Sequence, residues 1–116
     1  MDSLEDLKQQ LRTFAQERDW DQYHSPKNIA MALTGEVGEL VEHFQWKTEE
    51  ESYVVNEANH EAIADELADV QLYLIRLADK LGIDLYKESC RKILKNADKY
   101  PVSLAKGKSD KYSDLK

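Results

Sequence analysis

Helix breakers are scarce and widely separated in this chain: Pro26, Pro101, Gly35, Gly38, Gly82 and Gly107 are the only prolines and glycines in 116 residues. Between them the apolar residues recur every third or fourth position rather than in alternation, the period of a helix face and not of a half-buried strand. The sequence therefore predicts an all-α fold. A chain of this length forms one domain, too small for a cleft between two lobes. It buries roughly two thirds of its unfolded surface, a modest core that an oligomer would complete.

Four main helices are expected. The first runs from about Ser3 to Arg18, with Leu4, Leu7, Leu11, Phe14 and Ala15 on its buried stripe. A loop over Asp19–Ser25 ends at Ser25-Pro26, where serine suits the N-cap and proline the first helical position. The second helix then runs from Pro26 to about Trp46, with Ile29, Leu33, Val37, Leu40 and Phe44 on one arc. A Glu-rich polar stretch, Thr48–Asn59, reads as a loop or a poorly held helical turn.

The third helix is expected from about Asn59 to Leu81, stopped by Gly82. Its main stripe is Ile63, Leu67, Val70, Leu74, Leu77 and Leu81, but Ala68, Leu72 and Ile75 occupy much of its far side. A helix apolar on most of its circumference suits a central position or a subunit interface, with Leu72 or Ile75 facing the partner. The fourth helix begins near the N-cap Asp84 and ends at Tyr100-Pro101. Residues 1–100 thus form a single helical domain, and residues 101–116, with four lysines, three serines and no periodicity, a loosely held basic tail.

Charge narrows the function. The net charge of −7 argues against gripping a nucleic-acid polymer, which needs many Lys and Arg contacts to phosphate. It is unevenly spread, with 7 basic and 19 acidic residues over 1–86 but 9 basic and 4 acidic over 87–116. One part suits a cation and the other suits phosphate. No apolar run is long enough to span a membrane. Met1 is followed by Asp2, Glu5 and Asp6 rather than by a secretory pattern, and the lone Cys90 has no internal disulfide partner. Both point to a reducing cytoplasm.

The acidic residues have a pattern of their own. Glu36 and Glu39 form an E-x-x-E turn, and Glu66 and Asp69 an E-x-x-D turn 30 residues later, both bordering the apolar stripes of successive long helices. On antiparallel neighbours both pairs enter one groove, where four carboxylates cannot all stay ionised without a cation. An all-oxygen ligand set suits Mg²⁺ or Mn²⁺ better than Zn²⁺. Either pair taken alone is equally compatible with an ordinary solvated face. Trp20 and Trp46 fall at helix ends beside loops, placed either to stack on a nucleobase, with His24 reading its edge, or to plug the core. Lys92, Asn96 and Lys99 share one face of the fourth helix at i, i+4 and i+7, next to Tyr100.

Several stretches together resemble a known family. Gly35-Glu36-Val37-Gly38-Glu39-Leu40, Glu66-Leu67-Ala68-Asp69 and Asn96-Ala97-Asp98-Lys99-Tyr100-Pro101 look like the all-α nucleoside triphosphate pyrophosphohydrolases of the MazG-like superfamily, most nearly its dCTP pyrophosphatase-like branch. Glu17-Arg18-Asp19-Trp20, His24 with Pro26, and Phe44-Gln45-Trp46-Lys47 extend the likeness from Leu11 to about Tyr112. The resemblance implies a bundle of four main helices completed by oligomerisation, a homotetramer made of two tight dimers. It further implies Mg²⁺ held by Glu36, Glu39, Glu66 and Asp69, and cleavage of a nucleoside triphosphate, dCTP-like, to the monophosphate and pyrophosphate. Trp20, His24 and Trp46 would then serve the base, and Lys92, Asn96, Lys99 and Tyr100 the phosphates or sugar, although the lysines also fit a plain solvated face. Many relatives carry a Glu doublet before the first pair, where this chain has Gly35.

Two other classes are compatible with a small acidic helical chain. A di-iron carboxylate bundle would need a Glu-x-x-His motif on each of two helices, whereas only Glu57-Ala58-Asn59-His60 has that spacing. A non-enzymatic helical interaction module is the other.

Overall fold

The structure, a computed structural model, describes residues 3–109, 111 and 113. Met1, Asp2, Asp110, Tyr112 and residues 114–116, with the corresponding ends of the expected tail and of the family likeness, lie outside the described residues. The described chain is helical throughout: α1 (Leu4–Glu17), a 3₁₀ turn (Asp21–Tyr23), α2 (Pro26–Glu42), α3 (Glu49–Ser52), α4 (Glu57–Lys80), α5 (Leu85–Lys99) and α6 (Val102–Ala105). It divides into two compact units, residues 1–83 and 84–116.

In the first unit each helix starts on a side chain that satisfies a free backbone N–H. Ser3 accepts from the Asp6 amide at 3.0 Å and Ser25 from the Asn28 amide at 3.1 Å, with Pro26 at the first turn as expected. Of the two readings of Thr48–Asn59 the helical turn is the one that forms: Thr48 and Glu51 make a capping box that starts α3, and Asn56 with Asn59 makes another that starts α4 at Glu57, two residues ahead of the expected start. At its other end α2 stops at Glu42, short of Trp46. There the backbone bonds tighten to His43 N–H on Leu40 O and Phe44 N–H on Val41 O, a run of turns that carries Trp46 out to solvent.

Helix α4 packs most extensively on α2 and also on α1. The two long helices are antiparallel, because His24 just ahead of α2 bonds Arg76 late in α4 while Glu36 and Glu39 further along α2 meet Glu66 early in α4. Ala15, Ile29, Ile63, Ile75 and Ala78 are buried, and Ile29 is nearly sealed from solvent.

The division of faces on α4 differs from expectation. Ile75 is only 3% exposed inside a single chain, so it cannot face a partner, and Leu72 is half-buried. Three members of the expected core stripe, Leu67, Leu74 and Leu81, stand 55%, 41% and 53% exposed. Periodicity cannot rank the faces of a helix that is apolar nearly all round. Packing chose the side shared by α1 and α2.

In the second unit Asp84 caps α5 by accepting from the Lys87 amide at 3.0 Å, and Tyr100 closes it with an N–H to Asn96 O at 2.8 Å. The segment after Pro101, expected to be aperiodic, contains the single helical turn α6. Tyr86, Ile93, Leu94 and Val102 are exposed.

Candidate functional site

Glu36 and Glu39 lie one turn apart on α2, and Glu66 faces them from α4. Each offers a carboxylate oxygen, and the three oxygens lie within 4.8 Å of one another. One oxygen of Glu36 and one of Glu66 are buried and receive no hydrogen bond. Buried carboxylate oxygens without donors are costly. Burial, and then the charges of Glu39 and Asp69, push the Glu36 carboxyl up to about 7. Burial, and then Glu39, raise Glu66 as well. Asp69 stands outside the group of three but close enough for its charge to act on both.

The physical content of this cluster is a deficit of positive charge. No Lys or Arg is paired with Glu36, Glu39 or Glu66 among the described ion pairs. A hard divalent cation with oxygen ligands would answer the repulsion and both orphaned oxygens at once, so the residues present fit Mg²⁺ or Mn²⁺. His60 is exposed and lies outside the cluster, which leaves a di-iron reading without its histidine.

The expected base-site residues sit at either end of α2. Trp20 is 45% exposed, with its ring edge-on to Phe14 at 5.7 Å, and Trp46 is 88% exposed. Neither indole plugs the core. His24 accepts at Nδ1 from Arg76 Nε at 3.2 Å. Burial, and then Arg76 and Lys80, lower its pKa, so the ring stays neutral with its proton on Nε2.

Lys92, Asn96 and Lys99 lie along α5, with Tyr100 at its C-cap. A groove on this helix is lined by Leu85, Glu88, Ser89, Arg91, Lys92, Ile93 and Asn96. The charge of Lys99, and then slight desolvation and the charges of Lys95 and Arg91, hold the exposed Lys92 ammonium below its usual range. Such a like-charged run attracts anions.

One residue of consequence was missed. Arg76 is buried on α4 and bonds Asp21 at 2.7 Å as well as His24. The available signal was a lone basic residue inside the apolar run Leu72–Ala78.

A family model described as the MazG-like family matches residues 32–115. The chain belongs to the MazG-like family. Its relatives include dCTP pyrophosphatase 1 of Rattus norvegicus, 43% identical over 115 residues that make up 97% of this chain and 68% of that protein. The Homo sapiens dCTP pyrophosphatase 1 is 44% identical over the same shares. Among solved structures, a pyrophosphatase from Archaeoglobus fulgidus superposes with a TM-score of 0.78 at 41% identity, covering 84% of this chain and 91% of that one. This MazG-like chain thus has the all-α fold that its helical periodicity predicts.

Proposed function

We propose that this MazG-like chain hydrolyses deoxynucleoside triphosphates, dCTP-like, between the α and β phosphates, releasing the monophosphate and pyrophosphate. It is an enzyme of the nucleotide pyrophosphohydrolase class, like the dCTP pyrophosphatases it resembles. The observation that carries the reading is the pair of buried, hydrogen-bond-free oxygens on Glu36 and Glu66 beside Glu39. Glu36, Glu39, Glu66 and Asp69 would hold Mg²⁺, or Mn²⁺ in its place. When bound, the ion supplies positive charge against the phosphate oxygens and acidifies water.

The chain's own residues supply the rest. Glu39, the most exposed of the three clustered glutamates, is the member of the four that would stay free of direct metal contact to orient the attacking water and take its proton. Water oxygen bonds to the α phosphorus as the bond from that phosphorus to the bridging oxygen breaks, and pyrophosphate leaves. Trp20 and Trp46 offer open indole faces for a base, and His24 offers an Nε2–H donor to its edge. Lys92, Asn96, Lys99 and Tyr100 bind phosphate or sugar oxygens.

The working enzyme is a homo-oligomer, a tetramer of two dimers in the pattern implied by the family, acting in the cytoplasm on a small nucleotide. The exposed Leu67, Leu74 and Leu81 support an oligomer. No helix among the described residues is long and apolar enough to cross a membrane.

The test is a panel of the eight common ribo- and deoxynucleoside triphosphates with Mg²⁺, the products being separated so that pyrophosphate is told from orthophosphate. The expected result is pyrophosphate with the largest kcat/KM on dCTP. Orthophosphate release, or no turnover of any member, contradicts the assignment.

A further inference from the structure

Arg76 is the one charged residue buried as a whole among the described residues, 6% exposed, and the metal and nucleotide residues named above do not include it. It lies on α4 ten residues beyond Glu66 and seven beyond Asp69. Its guanidinium reaches three acceptors: Asp21 Oδ1 at 2.7 Å, His24 Nδ1 at 3.2 Å and Asp79 Oδ2 at 3.5 Å. Asp79 is gripped in turn by Arg12 of α1 through two bonds at 2.8 and 2.6 Å, and Lys80 donates to Asp21.

A guanidinium taken out of water needs such a set of acceptors merely to break even, and an apolar side chain of similar volume generally stabilises a fold as well. What the charge adds here is an attachment. Asp21 and His24 belong to the short link between α1 and α2, which runs from Arg18 through Trp20 to the N-cap Ser25. Trp20 itself is held by two backbone bonds, its N–H to Ala15 O and the Tyr23 N–H to its carbonyl, both 2.9 Å, and by the edge contact with Phe14. The bond from Tyr23 ties Trp20 to the 3₁₀ turn, so the place of its indole depends on where that turn is fastened as well as on α1.

We infer that Arg76 is a positioning residue for nucleotide binding: by bonding Asp21 and His24 it fastens the 3₁₀ turn to α4 and holds Trp20 at a set place relative to the carboxylates on α2 and α4. This rests on the proposal that Trp20 stacks on the base. Arg76 touches neither the metal nor the phosphates, so its loss weakens substrate binding and spares the chemical step. Lysine cannot replace it, because a single ammonium lacks the planar fork that spans Asp21 and His24 together.

The experiment is steady-state kinetics on dCTP with Mg²⁺, beside thermal unfolding, for Arg76→Met, Arg76→Lys, Asp21→Asn, Trp20→Ala and the double variant Trp20→Ala with Arg76→Met. Loss of a base stack corresponds to a rise in KM of about 5-fold or more, expected for Trp20→Ala and for Arg76→Met, with kcat changed by less than about 3-fold. Arg76→Lys should rescue KM only in part. The double variant should raise KM by clearly less than the product of the two single rises, since both changes remove the Trp20 contact. Asp21 is 59% exposed at its side chain, so Asp21→Asn loosens the same fastening without emptying a buried site, and it decides the matter if Arg76→Met does not fold. A parent KM in Arg76→Met, or in Asp21→Asn when it stands in, with only the melting temperature lowered, makes Arg76 a structural brace and overturns the inference. A multiplied KM in the double variant overturns it too. A parent KM in Trp20→Ala overturns the stacking proposal, and the inference with it.

Discussion

Glu36 keeps one oxygen buried with no donor, and it shares its groove with Glu39, Glu66 and Asp69. A group in that position costs stability, and the proposed cation would offset that cost. Replacing Glu36, Glu39 or Glu66 by Gln, or Asp69 by Asn, should lower kcat by about 10²-fold or more while the fold survives, the usual scale for loss of a catalytic metal or the water it activates. Two of the four variants with near-parent turnover would disprove a four-carboxylate site. The raised carboxyl also makes a pH prediction. Glu36 titrates near 4.5 when unfolded and at about 7 when folded, so between those values the folded state holds more protons and stability falls as pH rises. The metal-free protein should therefore lose melting temperature from about pH 4.5 to pH 7. Glu36→Gln should flatten that slope, and Mg²⁺ should restore stability at neutral pH. A metal-free melting curve that rises over this window contradicts the assignment. These carboxylates were legible because i, i+3 spacing puts each pair on one helical turn beside an apolar stripe. Arg76 was not, because its partners lie 52 and 55 residues away in sequence.

The helix ends show local chemistry at work. α1 and α4 close with the same pair of bonds: Asp19 N–H to Gln16 O and Trp20 N–H to Ala15 O in one, Gly82 N–H to Asp79 O and Ile83 N–H to Ala78 O in the other. The residue after each C-cap is left-handed, Asp19 at φ 54° and Gly82 at φ 67°. Glycine takes that conformation freely, whereas a Cβ there costs about 1 kcal/mol. Gly82→Ala should therefore lose about 1 kcal/mol in urea unfolding, and Asp19→Gly should gain up to about 1 kcal/mol. The gain is trimmed by the weak Gln22 bond to the Asp19 carboxylate at 3.3 Å, while the Gln22 bond to the Asp19 carbonyl survives. Equal signs for the two substitutions would refute this account. Gly82, Asp84, Ser25 and Pro26 were readable in advance as boundaries, since their effect is confined to one turn. The capping boxes at Thr48 and Asn56 were passed over amid a polar stretch, where an N-cap and a loop residue look alike.

A single protomer leaves Leu67, Leu74 and Leu81 of α4 in water, along with Val37 and Val41 of α2. Apolar surface of that kind suits the proposed subunit interface. Light scattering at micromolar concentration should give the mass of an oligomer, and Leu74→Lys, which puts a charge on the exposed stripe, should lower it. A monomeric mass for the parent protein contradicts the assembly. The all-helical class, the helix boundaries marked by caps and breakers, and the two acidic turns followed from the order of residues, because helical period and capping act within a few positions. Which side of α4 is buried, the meeting of Glu66 with Glu36 and Glu39, and the fastening of Asp21 and His24 by Arg76 were settled only by packing. Those contacts join residues far apart in the chain, and a helix that is apolar nearly all round gives no local reason to prefer one neighbour over another.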